Sequence, residues 1–163
     1  MGRISLLVSR DFQVLVQAAR SLEPEVRKQF RVQTRRAAEP IFQEEMQSRA
    51  GTRIETRALV GTARVSVRDD NVTLRSATIG RVGKVPAARV APGAEFGNKP
   101  DRKVATTSRK GKAYTRRLGP VFRTPRRQGY VFFPSVKESS ARLAALWFQT
   151  AYRTVAETFE KVK

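Results

Sequence analysis

Few residues in this chain are of kinds that do chemistry. Among its 163 residues there is no cysteine and no histidine. That removes disulfides, thiolates, the commonest general base and the commonest metal ligand. Nucleophile activation would have to rest on a Lys or a carboxylate, and the carboxylates are poorly placed for it. Glu44 and Glu45 are adjacent on a helical stretch and point in different directions. Asp69 and Asp70, followed by Asn71, have turn chemistry. No carboxylate cluster suits Mg²⁺. Gly80-x-x-Gly83-Lys84 invites a phosphate-loop reading, but that motif needs a wider glycine spacing and a Ser or Thr where Val85 stands. An RNA-clamping Gly-x-x-Gly loop would join two helices, whereas this one leaves a strand. The sequence therefore predicts no catalytic site, no metal site and no cofactor. Glu95, beside Phe96 and Gly97, is the one carboxylate in a distinctive setting. Its expected role is an ion pair with an Arg of the sheet or of a neighbouring subunit.

What remains is charge. Lys and Arg number 33 against 14 Asp and Glu, a net charge of +19. A polyanion or an acidic partner surface would relieve that self-repulsion. The excess is concentrated between Asn98 and Gln128. That segment carries Lys99, Arg102, Lys103, Arg109, Lys110, Lys112, Arg116, Arg117, Arg123, Arg126 and Arg127, opposed only by Asp101. With few large apolar residues it cannot build a core of its own, and it is longer than an ordinary loop. Val90–Gly97 before it and Gly129–Val136 after it read as short strands bounded by Gly and Pro. The expectation is a strand pair holding a basic arm out from a small body. Tyr114 and Phe122 are the arm's only rings, too few for a base-stacking platform, so contacts to duplex phosphates fit better. The plain alternative is a solvated, disordered loop without a ligand.

The elements that must position this arm read as α+β: two N-terminal helices, a small antiparallel sheet, a long basic loop and a long C-terminal helix packed on the sheet. Ile4, Leu6 and Val8 alternate as a weak strand. Asp11 is placed to cap a first helix bearing Leu15, Val16 and Ala19. A second helix runs from Pro24 to about Arg49, with Leu22, Val26, Phe30, Ala37, Ile41, Phe42 and Met46 as its stripe and a kink expected at Pro40. Arg27, Lys28, Arg31, Arg35 and Arg36 are expected on its solvated face. Leu59 to Val67 and Val72 to Ile79 read as a hairpin. Ser135 and Glu138 form a capping-box pattern for the last helix. There Ala141, Ala144, Phe148, Ala151, Val155, Thr158 and Val162 recur at helical spacing. Trp147, Phe148 and Val155 are expected in the core or an interface, with core packing the first expectation for Trp147 and Phe148. The default is one domain over 1–163, with the arm at about 98–128. The apolar run after Arg3 is too short for a signal-peptide core. No stretch approaches the ~20 apolar residues of a membrane helix.

With these residues assembled, the chain resembles the neck or tail-completion proteins, the head–tail connectors of long-tailed bacteriophages. Three features carry the likeness: two helices followed by antiparallel strands, Glu95-Phe96-Gly97, and Phe132-Phe133-Pro134-Ser135-Val136 leading into a terminal helix. The family's Thr-Gly-x-Leu turn is replaced here by Gly51-Thr52-Arg53-Ile54, and the basic arm is longer than the family's usual connection. The resemblance implies a homo-oligomer ring, sixfold or twelvefold, at the phage head–tail junction. Its partners would be itself, the connector or stopper protein, the tail terminator protein and the double-stranded viral DNA passing through. It implies no membrane and no small-molecule substrate. The protein would be part of the virion, assembled in the bacterial host cytoplasm, with Glu95, Phe96, Gly97, Phe132, Phe133 and Pro134 in subunit contacts. The basic arm would face either the DNA channel or a neighbouring ring. Rival expectations are a tail terminator ring, a general nucleic-acid-binding protein of ribosomal or nucleoid type and, last, a nuclease-like enzyme.

Overall fold

A computed structural model describes residues 10–160, with side chains from Gln13 onward. The expected Ile4–Val8 strand and Val162 lie outside these residues. The chain is mixed α+β. In order, the elements are α1 (Arg10–Ser21), α2 (Pro24–Arg49), α3 (Arg53–Glu55), a π-helical turn (Thr56–Val60), β1 (Arg64–Val67), β2 (Val72–Arg75), β3 (Arg81–Val82), β4 (Val85–Pro86), α4 (Ala87–Phe96), β5 (Lys103–Thr107), β6 (Ala113–Arg117) and α5 (Phe132–Glu160). The strands pair as three separate antiparallel hairpins, β1–β2, β3–β4 and β5–β6. The chain divides into two compact units. One takes the chain up to Glu45, Ala63–Arg75 and the chain from Ser135; the other takes Met46–Thr62 and Ser76–Pro134.

The first unit is a helical layer against the β1–β2 hairpin. Leu15 and Val16 of α1, Phe30 of α2, and Trp147 and Ala151 of α5 form its core, with Val67, Val72 and Val155 packed against them. Trp147 meets Phe30 edge to face at 5.8 Å between ring centres, and its indole N–H points at the Arg68 carbonyl, 3.5 Å away. The terminal helix thus packs on the sheet, as the periodicity predicts. The register Val65↔Leu74 and Val67↔Val72 fits the alternation of apolar residues along both strands. Phe148 departs from expectation: it is 43% exposed, because the buried face of α5 runs through Ser139, Leu143, Trp147, Thr150 and Ala151. The stripe of α2 likewise runs Phe30, Thr34, Ala38, Phe42 and Met46 in steps of four. Ala37 is exposed.

The structure departs from several expected caps and faces. Asp11 lies inside α1. The last helix begins at Phe132, so Ser135 is a helical residue. Its hydroxyl donates to the Glu45 carbonyl at 3.1 Å and closes no capping box with Glu138. The basic face of α2 is only partly solvated. Arg27 and Arg31 lie 3.8 and 3.5 Å from Asp69, and Arg20 of α1 lies 2.8 Å from Asp70. The two turn-forming aspartates therefore also collect helix cations, each pair contributing on the order of 0.2–1 kcal/mol.

The second unit is built around α4. Ala87, Val90 and Ala94 form its buried face, packed against the π-helical turn. Leu59 and Val60, expected to open β1, lie buried in that turn. The hydroxyl of Thr62 donates to the Ala58 carbonyl and accepts the Ala77 N–H, both at 2.7 Å. Ser76 donates to the Leu59 carbonyl. These bonds turn the chain away after Arg75, leaving Ala77 at φ +56, so Ala77 and Ile79 do not extend β2. Of Val90–Gly97, read from sequence as a strand, Val90 to Phe96 belongs to α4 and Gly97 follows its end. Pro92 and Gly93 disguised it, being poor helix residues, yet the helix runs through both.

Candidate nucleic-acid interface

Glu95 sits in the last turn of α4 and is 3% exposed. Its carboxylate accepts three backbone N–H groups: Val131 at 3.3 Å and Phe132 at 2.7 Å on Oε2, and Phe133 at 3.1 Å on Oε1. These are the donors that the start of α5 leaves without intrahelical partners. The next residue, Pro134, has no N–H to satisfy. One carboxylate and one proline thus complete the N-terminus of α5, where a negative charge is also favoured by the helix dipole. The carbonyl of Glu95 accepts Tyr130 N–H at 2.8 Å. The expected ion pair of Glu95 with an arginine is replaced by this backbone recognition. Val131, Phe132 and Phe133 present these N–H groups together because α5 starts there.

The residues after Glu95 fasten the far end of the arm in the same way. Phe96 carbonyl accepts Arg126 N–H, and Arg123 carbonyl accepts Asn98 N–H, both at 2.8 Å. Gly97 at φ +72 and Gly129 at φ +76 lie where side chains strain. A β-carbon on Gly97 would meet the Thr124 carbonyl, and one on Gly129 would meet the Glu95 carboxylate. The Phe122 ring lies on Gly93. Arg123 reaches Glu55, a buried carboxylate of the Thr52–Glu55 capping box, at 3.7 Å. It also covers the Tyr130 ring at 4.2 Å, with Arg126 at 5.3 Å. The strand pair expected at the arm's base is therefore a helix end laced to a returning coil. Arg123 belongs to this clamp, whereas sequence reasoning grouped it with the contact residues.

Outside the clamp the arm is a β-hairpin. Lys103↔Arg117, Val104↔Arg116, Ala105↔Thr115, Thr106↔Tyr114 and Thr107↔Ala113 face each other, and Leu118 N–H to the Arg102 carbonyl adds a further rung. The turn is closed by Ser108, which accepts Lys112 N–H on its hydroxyl, with Gly111 at φ +80. Lys99, Arg102, Lys103, Arg109, Lys110, Lys112, Arg116, Arg117, Arg126 and Arg127 are all exposed. Among the described residues, Arg123 is the one cation of the arm that forms an ion pair.

No family profile, curated protein or solved structure matches the chain.

The remaining motif residues fall close by. Phe96 and Phe133 stack at 5.5 Å, Phe133 meets Phe132 edge-on, and Phe96 and Phe133 are partly exposed. With Leu59, Ala77, Ala91 and Pro92 they line an apolar recess of about 290 Å³. Gly83 and Lys84 form the two-residue turn of β3–β4. Among the described residues no group of three or more His, Cys, Asp or Glu is placed to hold a metal ion. No described helix is long and apolar enough to cross a membrane.

Proposed function

We propose that the chain is a structural, non-catalytic neck or tail-completion protein that forms a ring at a phage head–tail junction, around the DNA channel. The observation that carries this reading is the clamp. Glu95-Phe96-Gly97, a motif on which the resemblance rests, is the piece that fastens both ends of the basic excursion to the body. Conformational freedom is thereby removed from the excursion's base, and its cations are presented from a fixed root rather than on a trailing tail.

Two apolar surfaces support a multi-copy assembly. One is the recess lined by Phe96 and Phe133. The other is the uncovered stripe of α5 carrying Phe148, Tyr152 and Phe159, exposed by 43%, 64% and 68%. Seating the stripe of one copy in the recess of the next covers both. Such a head-to-tail contact, repeated with rotation, closes a ring. Ring partners above and below would be the connector or stopper and the tail terminator.

Electron microscopy of the purified protein and of virion fractions tests this. Rings, or co-assembly with tail parts, are expected. Monomers alone, absent from virions, would leave the general nucleic-acid-binding reading, which the exposed basic hairpin favours.

A further inference from the structure

We infer that the β5–β6 hairpin is a duplex-DNA contact that enters a groove as a two-stranded ribbon, and that Arg123 and Arg126, engaged at the clamp, are not part of that contact. The biological setting rests on the proposed place around a DNA channel. The contact itself is argued from the hairpin alone.

The hairpin has a shape and a charge distribution that select among anionic partners. Directly opposed residues of an antiparallel pair share a face. One face therefore carries Lys103 and Arg117 at its root, then only Ala105, Thr107, Ala113 and Thr115. Those side chains are small, so that face approaches another surface closely. The other face carries Val104, Thr106, Tyr114 and Arg116, and Arg109, Lys110 and Lys112 crown the tip. Cations thus lie on both faces and at the end, without an acidic residue between Arg102 and Leu118. Lys103 opposite Arg117 is a like-charge pair, destabilising until an anion lies between or beside them.

A flat acidic protein surface would engage one face only. It would also ask for the apolar or aromatic anchors that dominate protein interfaces, and Tyr114 is the hairpin's one exposed ring. A groove bordered by two phosphate rows engages both faces and the tip. Two strands about 4.8 Å apart fit a major groove about 12 Å wide, which admits a two-stranded ribbon. The deep, narrow major groove of duplex RNA does not admit side chains. A single strand would call for more stacking rings. Beyond Lys103 and Arg117 at its root, the small methyl-bearing face carries no Arg, Lys, Asn or Gln to read a base edge bidentately, so sequence-tolerant binding is expected. Each copy binds weakly, and a ring adds the contacts together.

The cations nearest the clamp are engaged otherwise. Arg123 pairs with Glu55 and covers Tyr130, and Arg126 lies over the same ring.

The full chain is titrated against a short mixed-sequence DNA duplex by fluorescence anisotropy, from roughly 50 to 200 mM NaCl, the range over which phosphate contacts lose most affinity. Log K against log salt falls by about 0.9 per phosphate contact. Replacing Arg109, Lys110 and Lys112 together by Ser is expected to make the slope shallower by about 2 to 3. The Arg126→Ala/Arg127→Ala variant is expected to change it by less than about 1. Circular dichroism of the tip variant should match the parent, since nothing lies near Gly111 at the turn. An unchanged slope in the tip variant overturns the inference, as does equal binding of single-stranded DNA or of duplex RNA. No virion enters this measurement. Binding without rings would spare this inference and sink the neck reading; rings with an unaltered slope would do the reverse.

Discussion

Three backbone N–H groups on one buried carboxylate make Glu95 the side chain of the second unit that most other features depend on. Hydrogen bonds to a charged partner contribute on the order of 1.5–3 kcal/mol each, and unmade ones leave buried donors. Glu95→Ala is expected to lower stability by about 3 kcal/mol, and Glu95→Gln by less, because one oxygen acceptor survives. Urea unfolding followed by circular dichroism reads both. Gly129 is tied to the same atom. At φ +76 a β-carbon costs roughly 1–2 kcal/mol in backbone conformation, and here it also displaces the carboxylate. Gly129→Ala should therefore cost clearly less in a Glu95→Ala background than in the parent, a coupling that a double-mutant cycle measures. Additive costs would mean that the glycine is needed for its backbone alone.

At the scale of elements, the arm divides into a clamp and a hairpin with opposite sensitivities. The β5–β6 strands are largely exposed, and among the described residues no other element packs closely on them. Replacing Lys103–Arg117 by a short Gly-Ser linker is expected to leave the urea midpoint within the equivalent of about 0.5 kcal/mol, the usual range for surface changes. Removing Lys99–Arg127 instead takes away Phe122, Arg123 and the bonds to Asn98 and Phe96. That deletion should unfold or strongly destabilise the second unit. Equal tolerance of both deletions would contradict the division. The core of the first unit offers a conventional comparison: Phe30→Ala opens a hole beneath Trp147 and is expected to cost about 3–5 kcal/mol, read from the fluorescence of the chain's single tryptophan.

For the whole molecule the dominant quantity is a net charge of +19. Repulsion among exposed cations opposes compaction and is screened as the Debye length falls from ~30 Å at 0.01 M to ~8 Å at physiological salt. The melting temperature is expected to rise over that interval and then level off. It should rise further with a short DNA duplex at low salt, because a ligand of the folded state stabilises it by mass action. A melting temperature indifferent to both would show that the charge is already compensated within the chain. In the proposed ring the same repulsion would oppose assembly, and DNA that neutralises the hairpins would relieve it.

By itself the sequence determined what depends on composition and short-range periodicity. The α+β class, the helix opening at Pro24, the Val65–Leu74 alternation around an Asp-Asp turn, Trp147 in the core and the concentration of cations in one segment were all legible there. Glu95 could be singled out as the one carboxylate in a distinctive setting, though not for what it does, whereas Gly97 and Pro134 entered only through the resemblance. Only the tertiary structure decided that Val90 to Phe96 is helical, that Leu59 and Val60 turn instead of extending, and that the α5 helix starts at Phe132. In each case a group distant in sequence settles the matter: a π-helical turn that buries one face of α4, a threonine hydroxyl that captures Ala77, a carboxylate that completes a helix end more than thirty residues along the chain. Local propensity cannot register such partners, because their free energy is gained only when the chain returns to meet them.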